Sequence, residues 1–198
     1  NVTWNTDPSW DNRETEGILA NTDFIAGAKV LSQKGLSLDI MQSFPQMPEI
    51  AVFAKAVPEL PIIVNHIGGV SRVGIFAGKD DEIIPVWKAG ITALAACPNV
   101  TMKLGGMGMP RFGYDWHARE VPIGSEELAE AMHPWMEHCI EQFGPDRCMF
   151  ESNFPPDKVG HSYNVLFNAF KRLSKGYSAS ERADMFHDTA VRAYRVEY

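Results

Sequence analysis

Short apolar runs alternate with longer stretches of helical period along the chain, always in the same order, and this pattern predicts a βα repeat. Residues 36–41 read as a strand, and residues 49–57 follow as a helix whose Ile50, Phe53 and Val57 fall three and four apart before Pro58 stops it. The continuous apolar run 61–64 predicts a second strand. Residues 82–96 then place Trp87, Ile91, Leu94 and Ala95 on one helical face, with Cys97 and Pro98 as the stop. A third strand, 100–104, runs into glycine-rich 105–108 and a long irregular loop. The helix that begins at Ser125 carries Leu128, Met132, Trp135, Cys139 and Phe143 at spacings of four, three, four and four, with a kink or break expected at Pro134. Residues 147–151 predict a fourth strand and 162–175 its helix. Ser178 and Glu181 then fit a capping box that opens a last helix, and residues 22–34 predict a helix ahead of the first strand. Four strands separated by helices imply a parallel α/β sheet.

Composition fits a single domain over residues 1–198. The chain is 45% hydrophobic and 22% charged, and 18 basic against 25 acidic side chains give 18 − 25 = −7. A chain of this length buries roughly 70% of the surface its unfolded form exposes, which suffices for one core. The acidic balance and the lack of any basic run longer than two argue against a nucleic acid or an anionic membrane surface as partner. No apolar stretch approaches the roughly 20 residues that span a bilayer, and residues 1–12 do not resemble a signal peptide, so a cytoplasmic protein is expected. Cys97, Cys139 and Cys148 have no CxxC spacing and read as buried reduced thiols. Glycosylation sequons begin at Asn1 and Asn99 but carry no meaning without secretion.

In a parallel α/β sheet the site lies where strands run into the following helices, and each predicted strand ends in polar residues. Asp39 and Gln42, with Gln46 nearby, follow the first, His66 the second and Lys103 the third, while Glu151, Asn153 and Asp157 cluster at the fourth. His66, followed by Gly68 and Gly69, presents an imidazole to a pocket or is a histidine satisfied by a backbone carbonyl. Lys103 needs a partner inside the fold, which Glu151 would supply as a structural ion pair; the other reading is catalytic. Glu151 or Asp157 could bind a metal or take a proton from water, although a solvated loop equally explains Asp157. Arg111, Tyr114, Trp116, His117 and Arg119 crowd the loop between Gly108 and Gly124, a substrate cover or partner surface suited to an anion. His133 and His138 are five apart and do not share a helix face as zinc-binding HExxH histidines do. The glycines at 105–108 lack the lysine and hydroxyl of a phosphate loop, and turn chemistry accounts for them and for Gly68 and Gly69.

Three strand ends carry a resemblance: Val64-Asn65-His66-Ile67-Gly68-Gly69, Val100-Thr101-Met102-Lys103-Leu104-Gly105-Gly106-Met107-Gly108-Met109, and Arg147-Cys148-Met149-Phe150-Glu151-Ser152-Asn153-Phe154-Pro155. Together with Met185-Phe186-His187-Asp188-Thr189-Ala190, they resemble the amidohydrolase-related family of metal-dependent hydrolases, which includes sugar lactonases and pyrone-dicarboxylate lactonases. The resemblance implies a (β/α)8 TIM barrel of which this chain supplies the C-terminal half, strands five to eight, with His66 ending the sixth. Asn153 stands where the family has the aspartate that binds metal and acts as base, Phe44 stands where a histidine is expected, and no His-x-His pair occurs in the chain. The implied activity is hydrolysis of a lactone, ester or amide in a small carboxylate-bearing substrate. An inactive barrel fragment and a metal-dependent decarboxylase of an aromatic acid are the alternatives. His66, Asn153, Glu151 and Lys103 are the catalytic candidates, and Gln46, Arg72, Arg111, Trp116, His117 and Asp157 the substrate-binding ones. One zinc or manganese ion on His66 is the expected cofactor, with metal-free lactonase chemistry also open. Two open sheet edges predict a homodimer or larger assembly.

Overall fold

The computed structural model describes residues 16–197. Helix α1 (Thr22–Gln33) starts where the Asn21 side chain accepts hydrogen bonds from the Asp23 and Phe24 amides. Then follow β1 (Leu38–Ile40), α2 (Met47–Ala56), β2 (Ile62–Val64), the single turn α3 (His66–Gly69), α4 (Asp80–Ala95), β3 (Val100–Leu104), α5 (Ser125–Phe143), β4 (Cys148–Phe150) and α6 (Tyr163–Leu173). The chain closes with α7 (Ala179–Ala183), a π turn (Asp184–Asp188) and α8 (Thr189–Tyr194), and the capping box of Ser178 and Glu181 is present. The observed strands lie inside the windows that the apolar runs predict.

All three strand pairs are parallel, in the order β1-β2-β3-β4, with Ile62 opposite Leu38 and Val100, and Met102 opposite Cys148. Sequential order with every connection crossing on the same side curls a sheet toward a barrel, whereas a reversal of order would make a doubly wound sheet. Val100, Met102 and Leu104 face the helices and are fully buried, while Thr101 and Lys103 alternate to the opposite face and are half-buried. The helix-side core joins Phe53, Trp87, Leu94, Cys139 and Phe170, with Phe150 stacked on Phe170 at 4.4 Å.

Two side chains tie the connections together. Asn99 donates to the carbonyls of Ala54, Val57 and Leu60, all at 3.1 Å, so this sequon asparagine has a structural task; Asn1 lies outside the described residues. Cys97, Cys139 and Cys148 are buried free thiols, as expected. The break expected at Pro134 is absent, because α5 runs unbroken through it. Pro134 and Glu130 are exposed, so water can reach the carbonyl that proline leaves without a donor, and the Tyr114 hydroxyl binds the adjacent Ala131 carbonyl at 3.1 Å.

Candidate active site

The ends of β2, β3 and β4 bring His66, Gly105 and Glu151 together. Glu151 Oε1 accepts from the His66 backbone amide at 3.0 Å and lies 2.5 Å from His66 Nδ1. Both side chains are about one-seventh exposed, 14% and 13%. A carboxylate at Nδ1 fixes the tautomer with the proton on that nitrogen and leaves Nε2 as the acceptor. The imidazole is therefore oriented from behind and keeps one reactive nitrogen.

The backbone is strained to achieve this. His66 and Ile67 have φ of 56° and 44°, and Gly68 and Gly69 continue left-handed. A non-glycine residue held there costs on the order of 1–3 kcal/mol, and such strain gathers at functional sites. The turn is clamped by Trp87 Nε1 on the Ile67 carbonyl at 2.8 Å and by Arg111 on the Gly69 carbonyl at 2.7 Å. Turn chemistry alone does not explain the glycines after β3. A Cβ on Gly106 would sit 2.6 Å from His66 Cβ, and one on Gly105 would sit 2.4 Å from the Glu151 carbonyl oxygen, so their backbone makes room for the pair.

Asn153 and Asp157 form a second layer. Asn153, with φ of 48°, donates from Nδ2 to Asp157 Oδ1 at 2.6 Å, and the Gly108 amide donates to Oδ2 at 2.9 Å. Asp157 is 1% exposed, so the solvated-loop reading fails. Burial pushes its carboxyl up to about 6, against the opposing pull of the Gly108 and Asn153 hydrogen bonds. It staples the loop after β3 to the loop after β4.

The remaining candidates are held elsewhere. Lys103 does not pair with Glu151; its Nζ lies 2.6 Å from Asp39 Oδ1, which also accepts from the Tyr194 hydroxyl at 2.8 Å. Glu151 is taken by His66, and the C-terminal α8 brings Tyr194 to this face, a contact no local pattern could reveal. Burial pulls the Lys103 ammonium down, but its hydrogen bonds to Asp39 and Tyr194 outweigh that and the net shift is upward. Gln46 is buried and accepts from the Ser43 amide at 3.1 Å, so it caps the turn before α2. Arg72 grips Asp80 through two nitrogens, at 2.8 and 2.5 Å, and lies 5.1 Å from the Tyr114 ring centroid. Arg111 is 7% exposed, and burial lowers its pKa. Trp116 is buried in a stack with Tyr114 at 4.5 Å, while His117 is exposed. Sequence reading passed over His161, a buried histidine whose Nε2 lies 4.0 Å from Asp157 Oδ2; its place four residues after Asp157 was the available signal.

A metal ion finds little here. Glu151 Oε1 faces His66 Nδ1, both Asp157 oxygens accept protein N–H groups, and no cluster of three or more His, Cys, Asp or Glu side chains among the described residues is placed to hold an ion. His66 Nε2 is the open imidazole donor at the strand ends, the other buried imidazole, His161, lies against Asp157 with Nε2 4.0 Å from Oδ2, and with no three such groups converging the described residues do not by themselves fit a metal site.

A partial barrel with its polar groups at the strand ends leading into the helices is the arrangement of an α/β-barrel enzyme fold. The Amidohydrolase family profile matches residues 1–196, and the chain belongs to that family. An uncharacterised protein of Sinorhizobium fredii is 38% identical over 171 residues, 86% of this chain and 50% of that protein. An L-fucono-1,5-lactonase of Burkholderia multivorans is 24% identical over 94% of this chain and 60% of its own length. An L-rhamnono-gamma-lactonase of Scheffersomyces stipitis is 25% identical over 90% of this chain and 55% of its own. Among solved structures, an amidohydrolase of Burkholderia multivorans with bound zinc superposes with a TM-score of 0.80 at 23% identity, covering 94% of this chain and 62% of that one. The chain thus spans about 50–60% of the length of these curated relatives, as a barrel portion would.

Proposed function

We propose that the chain carries the hydrolytic centre of a lactonase-type enzyme, with His66 as general base and Glu151 as the group that orients it. The observation that carries this reading is the 2.5 Å contact between His66 Nδ1 and Glu151 Oε1 at the end of the parallel sheet. Lactone hydrolysis needs a base for the attacking water and an acid for the departing ring oxygen, and one imidazole can serve in both steps. Water loses a proton to His66 Nε2 as its oxygen attacks the carbonyl. The ring C–O bond then breaks, and the leaving oxygen takes that proton back. Glu151 stabilises the intervening imidazolium as the buried carboxylate of a catalytic triad does. The family aspartate is thereby dispensable, since Asn153 here serves as a donor to Asp157. No group of three or more metal-type side chains among the described residues is placed to hold an ion, and the steps above run through none.

The lactonase names of two relatives supply the first probes, L-fucono-1,5-lactone and L-rhamnono-gamma-lactone. Turnover of either by the protein, abolished in His66→Gln, is the expected result; a fully active His66→Gln would overturn the assignment. β1 and β4 have no outer strand partner among the described residues, and a second copy could satisfy those edges. Sedimentation as a dimer is expected, and a monomer at micromolar concentration would remove that part of the proposal.

A further inference from the structure

One carboxylate oxygen, Glu151 Oε1, accepts from both the backbone amide and the ring Nδ1 of His66, so the imidazole keeps its direction only while residue 66 keeps its φ of 56°. The backbone does not hold that conformation unaided. Ile67 follows at φ of 44°, and a β-branched residue is the type that tolerates positive φ least; Gly68 and Gly69 extend the left-handed run at 82° and 69°. The turn therefore needs an external hold close to His66.

The Ile67 carbonyl reaches into the helix layer, where Trp87 Nε1 of α4 donates to it at 2.8 Å. Ile67 is 0% exposed and Trp87 1%, so water cannot take the place of that N–H. A buried carbonyl that loses its donor is left desolvated, and rotation of the peptide out of left-handed backbone is the relief open to it. The indole is itself fixed from behind by two rings of α5, with Trp135 edge to face at 4.9 Å and His138 at 5.3 Å. One helical turn after Trp87, α4 presses against the floor of the His66 turn through Met47. A Cβ on Gly90 would sit 2.5 Å from Met47 Cε, and one on Gly68 would sit 2.5 Å from Met47 Sδ. The other clamp, Arg111, acts further off, on the Gly69 carbonyl three residues beyond His66.

We propose that Trp87 is a positioning residue for His66: by holding the Ile67 carbonyl, its indole N–H keeps the turn left-handed and the imidazole on Glu151, with Nε2 as the acceptor. The positioning stands on its own, and its effect on turnover rests on the hydrolytic reading of the site.

Replacing the Trp87 indole by benzothiophene, through site-specific incorporation of benzothienylalanine, keeps the shape of the side chain and removes the N–H alone. Nitrogen-15 NMR of protein labelled in its histidine rings reads the tautomer at pH ~8, above the ordinary histidine range, and the loss of signals in His66→Gln identifies those of His66. The parent is expected to show one form, protonated at Nδ1. The benzothiophene protein is expected to show both tautomers, with kcat for the lactone about tenfold lower and KM within about twofold. Trp87→Phe, which also lacks the N–H, is expected to move both readouts in the same direction. Leu94→Val, fully buried two turns along the same face of α4, is the control for lost packing and is expected to leave tautomer and kcat as in the parent. A parent already in both forms, a benzothiophene protein that keeps the single form, or an equal shift of tautomer in Leu94→Val overturns the proposal. Both tautomers with kcat unchanged supports the positioning and removes the hydrolytic reading alone, whereas turnover lost with the single form kept removes the positioning alone.

Discussion

Two pairs of opposite polarity sit on the same sheet, His66 with Glu151 and Lys103 with Asp39, and each brings nitrogen and oxygen together at short range, 2.5 and 2.6 Å. They differ in what is left over. Glu151 takes one ring nitrogen of His66 and leaves the other as the acceptor, on a turn held in left-handed backbone. Lys103 meets Asp39 and stands 5.4 Å from the Tyr194 ring, whose hydroxyl binds the same carboxylate oxygen, so the ammonium is absorbed into a closed structural contact. A short charged contact does not by itself mark a reactive group; an uncommitted atom and a strained support do.

The largest expected effect tests the reactive side of that comparison. His66→Gln keeps the size of the side chain but removes the base, and kcat for lactone turnover is expected to fall at least about 10³-fold with KM little changed. Glu151→Gln leaves the imidazole in place without its orienting charge, and a smaller fall of about 10–100-fold is expected. Equal losses would mean that the two act as one unit whose geometry matters more than its proton.

Next in size is the support. Gly106→Ala places a methyl 2.6 Å from His66 Cβ at φ of 75°, and a loss of about 2–4 kcal/mol in urea unfolding is expected together with reduced turnover. Gly78→Ala is the control, since its φ is 71° and its new methyl would meet nothing within 4 Å. It carries the backbone term alone, about 1 kcal/mol. Matching losses at the two sites would show that crowding of His66 contributes nothing.

How much of this was legible in the sequence follows from how local each signal is. Strand β3 coincides with its apolar run at residues 100–104, and the helix stops at Pro58 and Cys97-Pro98 lie where the chain turns, because period and capping act over a few residues. The polar strand ends were legible too, since a parallel sheet directs them to one rim. The choice of partner was not. Glu151 and Asp39 are both carboxylates near Lys103, and the selection of Asp39 depends on Tyr194, 155 residues further along the chain. The burial of Asp157 depends likewise on the Gly108 amide, 49 residues away, so from the sequence a solvated loop and a metal-binding or basic carboxylate fit it equally.

Asp157 gives an effect of intermediate size with a defined sign. Its folded carboxyl stands at about 6 against an ordinary 3.8, so between those values the folded protein holds a proton that the unfolded chain has released. Its contribution to stability is therefore present at low pH and lost as pH rises through this window, by ~2 kcal/mol from pH ~4.5 to ~7.5. Asp157→Asn removes the titration and retains a hydrogen-bonding amide. Urea midpoints are expected to show the parent losing that much more than the variant across the same interval, and parallel pH profiles would show that Asp157 is as well solvated folded as unfolded.

The smallest expected effect bears on the other half of the comparison. In Lys103→Met the Asp39 side chain, 34% exposed, keeps the Tyr194 hydroxyl as donor and gains water, so no buried charge is stranded. A pair of this exposure is worth at most about 1 kcal/mol, and a fall of ~2–4 °C in thermal midpoint is the upper bound for a chain of this length. Lactone turnover is expected to stay within about twofold of the parent, because a residue acting only through the Asp39 and Tyr194 contact changes neither the base nor its orientation. A loss of turnover approaching that of His66→Gln would place the Lys103 ammonium among the reacting groups, and the contact with Asp39 would then be a resting position that the substrate displaces.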